Sequence, residues 1–276
     1  IYYNFKYYKN KFLDHLVYIV FGIIVISLVI NLDIISGRYS GIIWNANQLS
    51  SFCIIGFASL LLNPRKKTNL EYFLLSIFLI ISLSTGSRGV LVGIPLVFVF
   101  KFGFSIRNIL YALLSISVYL LVVTLQLDTS VNRFADQSLF NDRLLQYQYA
   151  YETLLQKPFF GYGLDKYSYI DKSLVPFYLK DFVVGAHNGY LAILVQYGFV
   201  FGFLALGIIF RQSFLFFNKY TLKNPENRFY IYIVVYTLIS SMYESLITGI
   251  NEFQTILFWF SLAFLSYSKF NQENAN

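Results

Sequence analysis

Apolar runs separated by short polar turns fill most of the chain, and one long polar stretch interrupts them, from Leu127 to Tyr190. Runs of this kind predict bilayer-crossing helices, since crossing the hydrocarbon takes roughly 20 apolar residues. The pattern gives about eight candidates, at approximately 16–32, 49–62, 70–83, 90–104, 109–127, 190–217, 229–246 and 255–267. The third, fourth and eighth are short, which fits tilted helices or helices shielded by neighbours. The expected fold class is therefore all-α, a polytopic integral membrane protein. Residues 1–276 form a single membrane domain, and 128–187 a large external loop carrying short amphipathic helices and part of the active site. Within that loop, Asn141 or Asp142 is placed to cap a helix in which Leu144, Tyr147, Tyr151 and Leu155 recur at helical spacing until Pro158 ends it.

Composition agrees with the pattern, at 57% hydrophobic and 13% charged over 276 residues. A net charge of +7 would suggest nucleic acid as a partner of a soluble protein, but here the basic residues fall mostly in short turns between apolar runs. There they orient helices, so no nucleic-acid partner is expected. Strict alternation puts the N-terminal lysines, Arg65-Lys66-Lys67, Lys101 and Arg107, the Lys219 to Arg228 turn and Lys269 on one side. Read as the cytoplasmic side, this makes both termini cytoplasmic and leaves Arg38, Arg88, Arg143 and His187 facing outward. The single cysteine, Cys53, lies in an apolar run, which excludes an internal disulfide and reads as a packing residue. The chain opens on Ile1 with no signal-peptide pattern, so N-terminal helices are expected to precede it.

Four external residues carry candidate chemistry. Arg88, in Ser87-Arg88-Gly89 beside Gly86, reads either as a snorkelling arginine or as an anion clamp, because a guanidinium offers a permanently charged planar fork to phosphate oxygens. Arg143 sits in the first turn of the loop helix, where backbone donors and the dipole favour phosphate; its other reading is a surface ion pair with Asp142 or Glu152. Arg38 reads as a loop arginine or a further ligand contact. His187, in Ala186-His187-Asn188-Gly189-Tyr190, is the one external histidine and so the obvious near-neutral base, or else a structural residue. Acids scattered through the loop do not form a ligand cluster, so neither a metal nor any other cofactor is expected. The loop aromatics Tyr147, Tyr149, Tyr151, Phe159, Phe160, Tyr162, Tyr167 and Tyr169 suit either a membrane surface or sugar faces. Glu244 and Glu252 acquire no role from the sequence.

Taken together, Ser87-Arg88-Gly89, Arg143 ahead of a helix, Pro158-x-x-Gly161-x-Gly163, His187-Asn188-x-Tyr190-Leu191, Gln196-x-Gly198 and Gly202 resemble the O-antigen ligase and polymerase superfamily. Gly41 to Asn47 also resembles that family's glycine- and asparagine-rich segment, with Ala46 where a proline is usual. The resemblance implies a metal-independent glycosyltransferase whose partners are a polyprenyl-diphosphate-linked oligosaccharide donor, a saccharide acceptor and the lipid bilayer, with chain-length regulators or other polysaccharide-assembly proteins as further associates. It implies Arg88 and Arg143 on the donor diphosphate, Arg38 assisting, His187 on the acceptor hydroxyl, and Asn188 and Tyr190 in substrate binding. It also places the protein in the bacterial cytoplasmic (inner) membrane. Polymerisation of O-antigen or capsule repeat units is favoured over ligation of finished chains to a lipid core. A transporter or flippase for lipid-linked saccharide, and a purely structural membrane subunit, are the readings from other classes.

Overall fold

The computed structural model describes residues 11–34, 38–103, 108, 141–164, 169–217, 224–248 and 252–273. The fifth predicted helix, 109–127, lies outside them, as do Arg107, Arg133, Tyr167, Lys219, Lys223 and Asn251. The described residues form α1 (Phe12–Ile30), α2 (Ala46–Leu62), α3 (Asn69–Ser84), α4 (Gly89–Phe102), α5 (Asn141–Gln156), α6 (Gly189–Phe214), α7 (Arg228–Ser240) and α8 (Phe253–Glu273). They contain no strand. By length and composition, α1 is long and apolar enough to cross a membrane, as is α6 when counted through its bend at Gly198, while α2, α3 and α4 are apolar but shorter. The chain divides into two compact units, residues 1–137 with 222–232, and residues 138–221 with 233–276.

In the first unit α2 is the central element, packed by α1, α3 and α4. Cys53, Ile54, Ile55 and Ala58 are fully buried on it. Gly56 allows the close approach, since a methyl there would sit 2.8 Å from Val20 and 3.1 Å from Phe78. Asn45 caps α2 by accepting from the Asn47 and Gln48 amides, and Thr68 and Glu71 form a capping box on α3. The basic turn between them is tied down at Arg65, which meets Asp14 at 2.7 Å and Glu71 at 2.5 Å.

In the second unit the loop region builds a core of its own. Tyr149, Ala150 and Leu154 of α5 pack with Ile170, Val175, Val183 and Ala186 of the following segment and with Val195 of α6. Thr153 accepts from the Asp171 amide (2.8 Å), and Gln146 donates to the Phe182 carbonyl (3.1 Å). Of the loop aromatics, Tyr149, Tyr162 and Tyr169 join this core, whereas Tyr151, Phe159 and Phe160 are bare.

Two expectations are corrected here. The sixth predicted helix is not one rod, because Gly198 breaks it with φ +68. Its halves, 189–197 and 199–214, fold back on each other: a methyl on Gly202 would lie 3.2 Å from the Leu194 Cα, and the rings of Tyr190 and Phe210 stack at 5.6 Å. The reversal frees the Val195 and Gln196 carbonyls, which accept from the Tyr162 (2.9 Å) and Gly163 (2.7 Å) amides, while the Phe199 amide donates to the Pro158 carbonyl (2.6 Å). The seventh helix ends at Ser240 instead of 246. The carbonyls that would help continue it are taken up elsewhere, that of Ser241 by the Gly189 amide (2.8 Å) and that of Met242 by Asn188 Nδ2 (3.2 Å).

Candidate active site

The segment Asn188-Gly189-Tyr190 clamps the start of α6 to the turn after α7. Asn188 caps α6 through the Tyr190 and Leu191 amides, both at 3.0 Å. Gly189 lies so close that a methyl would sit 2.4 Å from the Leu246 carbonyl oxygen. The Tyr190 hydroxyl donates to the Leu238 carbonyl at 2.6 Å. Tyr147 of α5 reinforces the clamp by donating to the Met242 carbonyl at 2.8 Å. His187 precedes this scaffold with φ +41, a backbone conformation uncommon outside glycine.

The clamp brings two predicted site residues together through one that sequence reasoning left without a role. Glu244 accepts from Arg143 Nη2 on Oε1 at 3.0 Å and faces His187 Nδ1 with Oε2 at 3.2 Å. Of the two acids near Arg143 in sequence, Glu152 accepts from Gln148 instead, and the Asp142 side chain lies outside the described residues. The guanidinium also lies 5.7 Å from the centre of the Tyr243 ring. Its second terminal nitrogen, Nη1, is buried and has no hydrogen-bond partner among the described residues. Burial, the largest influence on the Glu244 carboxyl, pushes it up, yet the His187 hydrogen bond and the Arg143 charge outweigh burial and hold it below the usual glutamate range. Burial pushes the Glu252 carboxyl up, and the charge of Glu244 adds to the rise. Two acids near one another in sequence are thus driven in opposite directions, Glu244 towards the charged form and Glu252 towards the neutral one.

Arg38 and Arg88 belong to the first unit and share one end of it. The Tyr39 amide donates to the Ser84 carbonyl at 3.2 Å, tying the residue after Arg38 to the turn that precedes Arg88. Arg38 donates to Asn47 Oδ1, and Arg88 is half-buried at the N-terminus of α4. Among the described residues, no three His, Cys, Asp or Glu side chains gather in a metal-binding group. His15, the other histidine, bonds the Lys11 carbonyl (2.7 Å) at the start of α1.

A family model described as O-antigen ligase matches residues 72–207. Over those residues the chain carries a domain of the O-antigen ligase and polymerase superfamily. No curated protein and no solved structure matches it. The O-antigen ligase match takes in Arg88, Arg143 and His187 and stops short of Glu244. It also includes the Pro158 to Gly163 turn, Gln196, Gly198 and Gly202, all of which build the reversal of α6 rather than present chemistry. The signal that would have found Glu244 is its setting, a carboxylate within the apolar run 229–246, where an unpaired charge is costly. A domain of this membrane-associated family of ligases and polymerases accounts for the apolar helices of both units.

Proposed function

We propose that this chain is a glycosyltransferase that moves a saccharide from a polyprenyl-diphosphate donor to an acceptor hydroxyl outside the cytoplasmic membrane, polymerising repeat units of O-antigen or capsular polysaccharide. The observation that carries this reading is Glu244 held between Arg143 and His187. A carboxylate that accepts from Nδ1 keeps the imidazole proton there and leaves the Nε2 lone pair for a substrate proton. His187 then takes the proton of the acceptor hydroxyl as its oxygen forms the bond to the anomeric carbon. The bond from that carbon to the diphosphate oxygen breaks, and its electron pair leaves with the phosphate. In this reading the Arg143 guanidinium stabilises the growing negative charge, and Arg88, assisted by Arg38, is assigned to the donor diphosphate on the family resemblance, so guanidinium groups supply the stabilisation a metal would otherwise give. Asn188 and Tyr190 contribute to substrate binding through the turn they hold rigid beside His187.

The same reading takes the chain as crossing the inner membrane about eight times, with both termini cytoplasmic and the site on the external face. Transfer of finished chains to a lipid core is the second reading, since it uses the same donor site. The test is the lipid-linked saccharide profile of cells carrying the full-length protein with His187→Ala, resolved by chain length and membrane face. Single repeat units stranded on the outer face are the expected result, with polymer reduced by roughly 10² to 10⁴-fold. Long lipid-linked chains on that face would establish ligation instead. Units trapped on the cytoplasmic face would make the protein a flippase, and an unchanged profile would leave His187 structural.

A further inference from the structure

At the reversal of α6 the second unit ends in a bare apolar tip. Phe159, Phe160 and Leu164 are 65%, 73% and 75% exposed in the turn after α5, beside the exposed Val200 and Phe201 of α6. The Phe160 and Phe201 rings meet at 6.1 Å, so loop and helix share one surface. That surface continues along the second half of α6 through Phe203, Leu204 and Ile208, all more than half exposed. A contiguous patch of this kind on a chain carrying a membrane-family domain calls for an apolar cover.

The backbone says which cover. The amides of Gly161, Tyr162, Gly163 and Phe199 all donate within the unit, to the carbonyls of Lys157, Val195, Gln196 and Pro158. Pairing of this kind is what lipid demands of non-helical backbone, whose polar groups must be satisfied internally. A saccharide site would instead present free donors and acceptors next to its aromatic rings. At the polar edge, the ammonium of Lys157 lies 4.5 Å from the centre of the Tyr162 ring, an arrangement suited to a side chain that reaches back to headgroups.

We infer that the turn Pro158 to Leu164, together with the bend of α6 at Gly198, is a foot inserted into the lipid bilayer interface, with Phe159, Phe160 and Leu164 among the acyl chains and Lys157 at the headgroups. The Pro158-x-x-Gly161-x-Gly163 segment and Gly198 then serve a purpose apart from transfer chemistry. They pair four amides of the tip within the protein, which lowers the cost of placing it in lipid, and this holds whichever reaction the protein performs.

The test uses nitroxide labels on Phe160→Cys and, separately, Leu164→Cys in the full-length protein in phosphatidylethanolamine/phosphatidylglycerol nanodiscs without saccharide substrate. Cys53 is fully buried and is the single cysteine of this sequence, and the unsubstituted protein reports background labelling. Exposed Ser173 carries the same label as an aqueous reference. The expected result is a several-fold higher ratio of oxygen to water-soluble nickel chelate accessibility at 160 and 164 than at 173. Equal ratios at all three positions would place the tip in water and overturn the inference. Labels at 160 and 164 shielded from both reagents would mean a protein partner covers the tip, which overturns it equally. Because no substrate is present, either failure leaves the glycosyltransferase reading untouched.

Discussion

The turn that carries Arg88 and the turn that carries His187 look alike in sequence, each a glycine-flanked polar break before an apolar helix, yet they are held by different means. Around Arg88 most of these bonds are local: Thr85 donates to the Ser82 carbonyl (2.6 Å), the Ser87 amide to Thr85 (3.2 Å), and the Gly86 amide to the Leu83 carbonyl (3.1 Å), with the Tyr39 amide on the Ser84 carbonyl (3.2 Å) as a long-range tie. Around His187 they span about fifty residues of chain, from Gly189 to Ser241, Tyr190 to Leu238 and His187 to Glu244. A local turn forms from its own sequence, whereas a cross-linked one exists only when two distant segments dock. The His187 turn should therefore be the more sensitive of the two to changes remote from it.

Glu244→Gln keeps the shape and removes the charge between Arg143 and His187. Transfer should fall by roughly 10² to 10⁴-fold, the scale seen when a histidine base loses its orienting carboxylate. Measured polymer output within a few-fold of the unsubstituted protein would detach Glu244 from the site. Arg143→Lys should follow with a loss of roughly tenfold or more, because an ammonium cannot hold Glu244 and a second oxygen in one plane; undiminished output would undo the clamp assignment.

Gly189→Ala tests the docking itself. A methyl 2.4 Å from the Leu246 carbonyl oxygen forces the turn apart, so thermal stability in detergent should drop by about 1–3 kcal/mol, with activity falling alongside. Gly22→Ala in α1 has no atom within 4 Å of the added methyl and should shift stability by no more than about 1 kcal/mol, in the favourable direction. Equal effects at both positions would mean the docking is not what holds the turn.

The smallest expected effect is one of pH. The folded-state pKa of Glu244 lies below its ordinary value, so its contribution to stability is present above the unfolded pKa and is lost as pH falls through the folded one. The stability difference between the unsubstituted protein and Glu244→Gln should accordingly shrink on acidification below the ordinary glutamate range. A difference constant across that range would show that the Arg143 and His187 contacts do not stabilise the charged carboxylate.

Part of the candidate site was legible from the chain because its chemistry is written in residue types. Arginine and histidine are rare enough in this apolar sequence for Arg88, Arg143 and His187 to stand out. The partner of Arg143 was not legible, since the nearby acids Asp142 and Glu152 offered a simpler pairing than one 101 positions away. Likewise Gly161, Gln196, Gly198 and Gly202 could be recognised as a recurring pattern without revealing that they make a bent helix and the turn that closes it.

Residue order alone carried the all-helical class, the approximate positions of most described helices and the amphipathic α5, and it offered the residue types of the candidate site, because hydrophobic period, capping residues and side-chain chemistry act over a few residues. Tertiary structure alone decided that α6 doubles back, that α7 stops at Ser240, and that Glu244 joins Arg143 to His187. Those outcomes depend on which distant backbone groups find one another, and a buried amide or carbonyl accepts whichever partner the packing brings within reach.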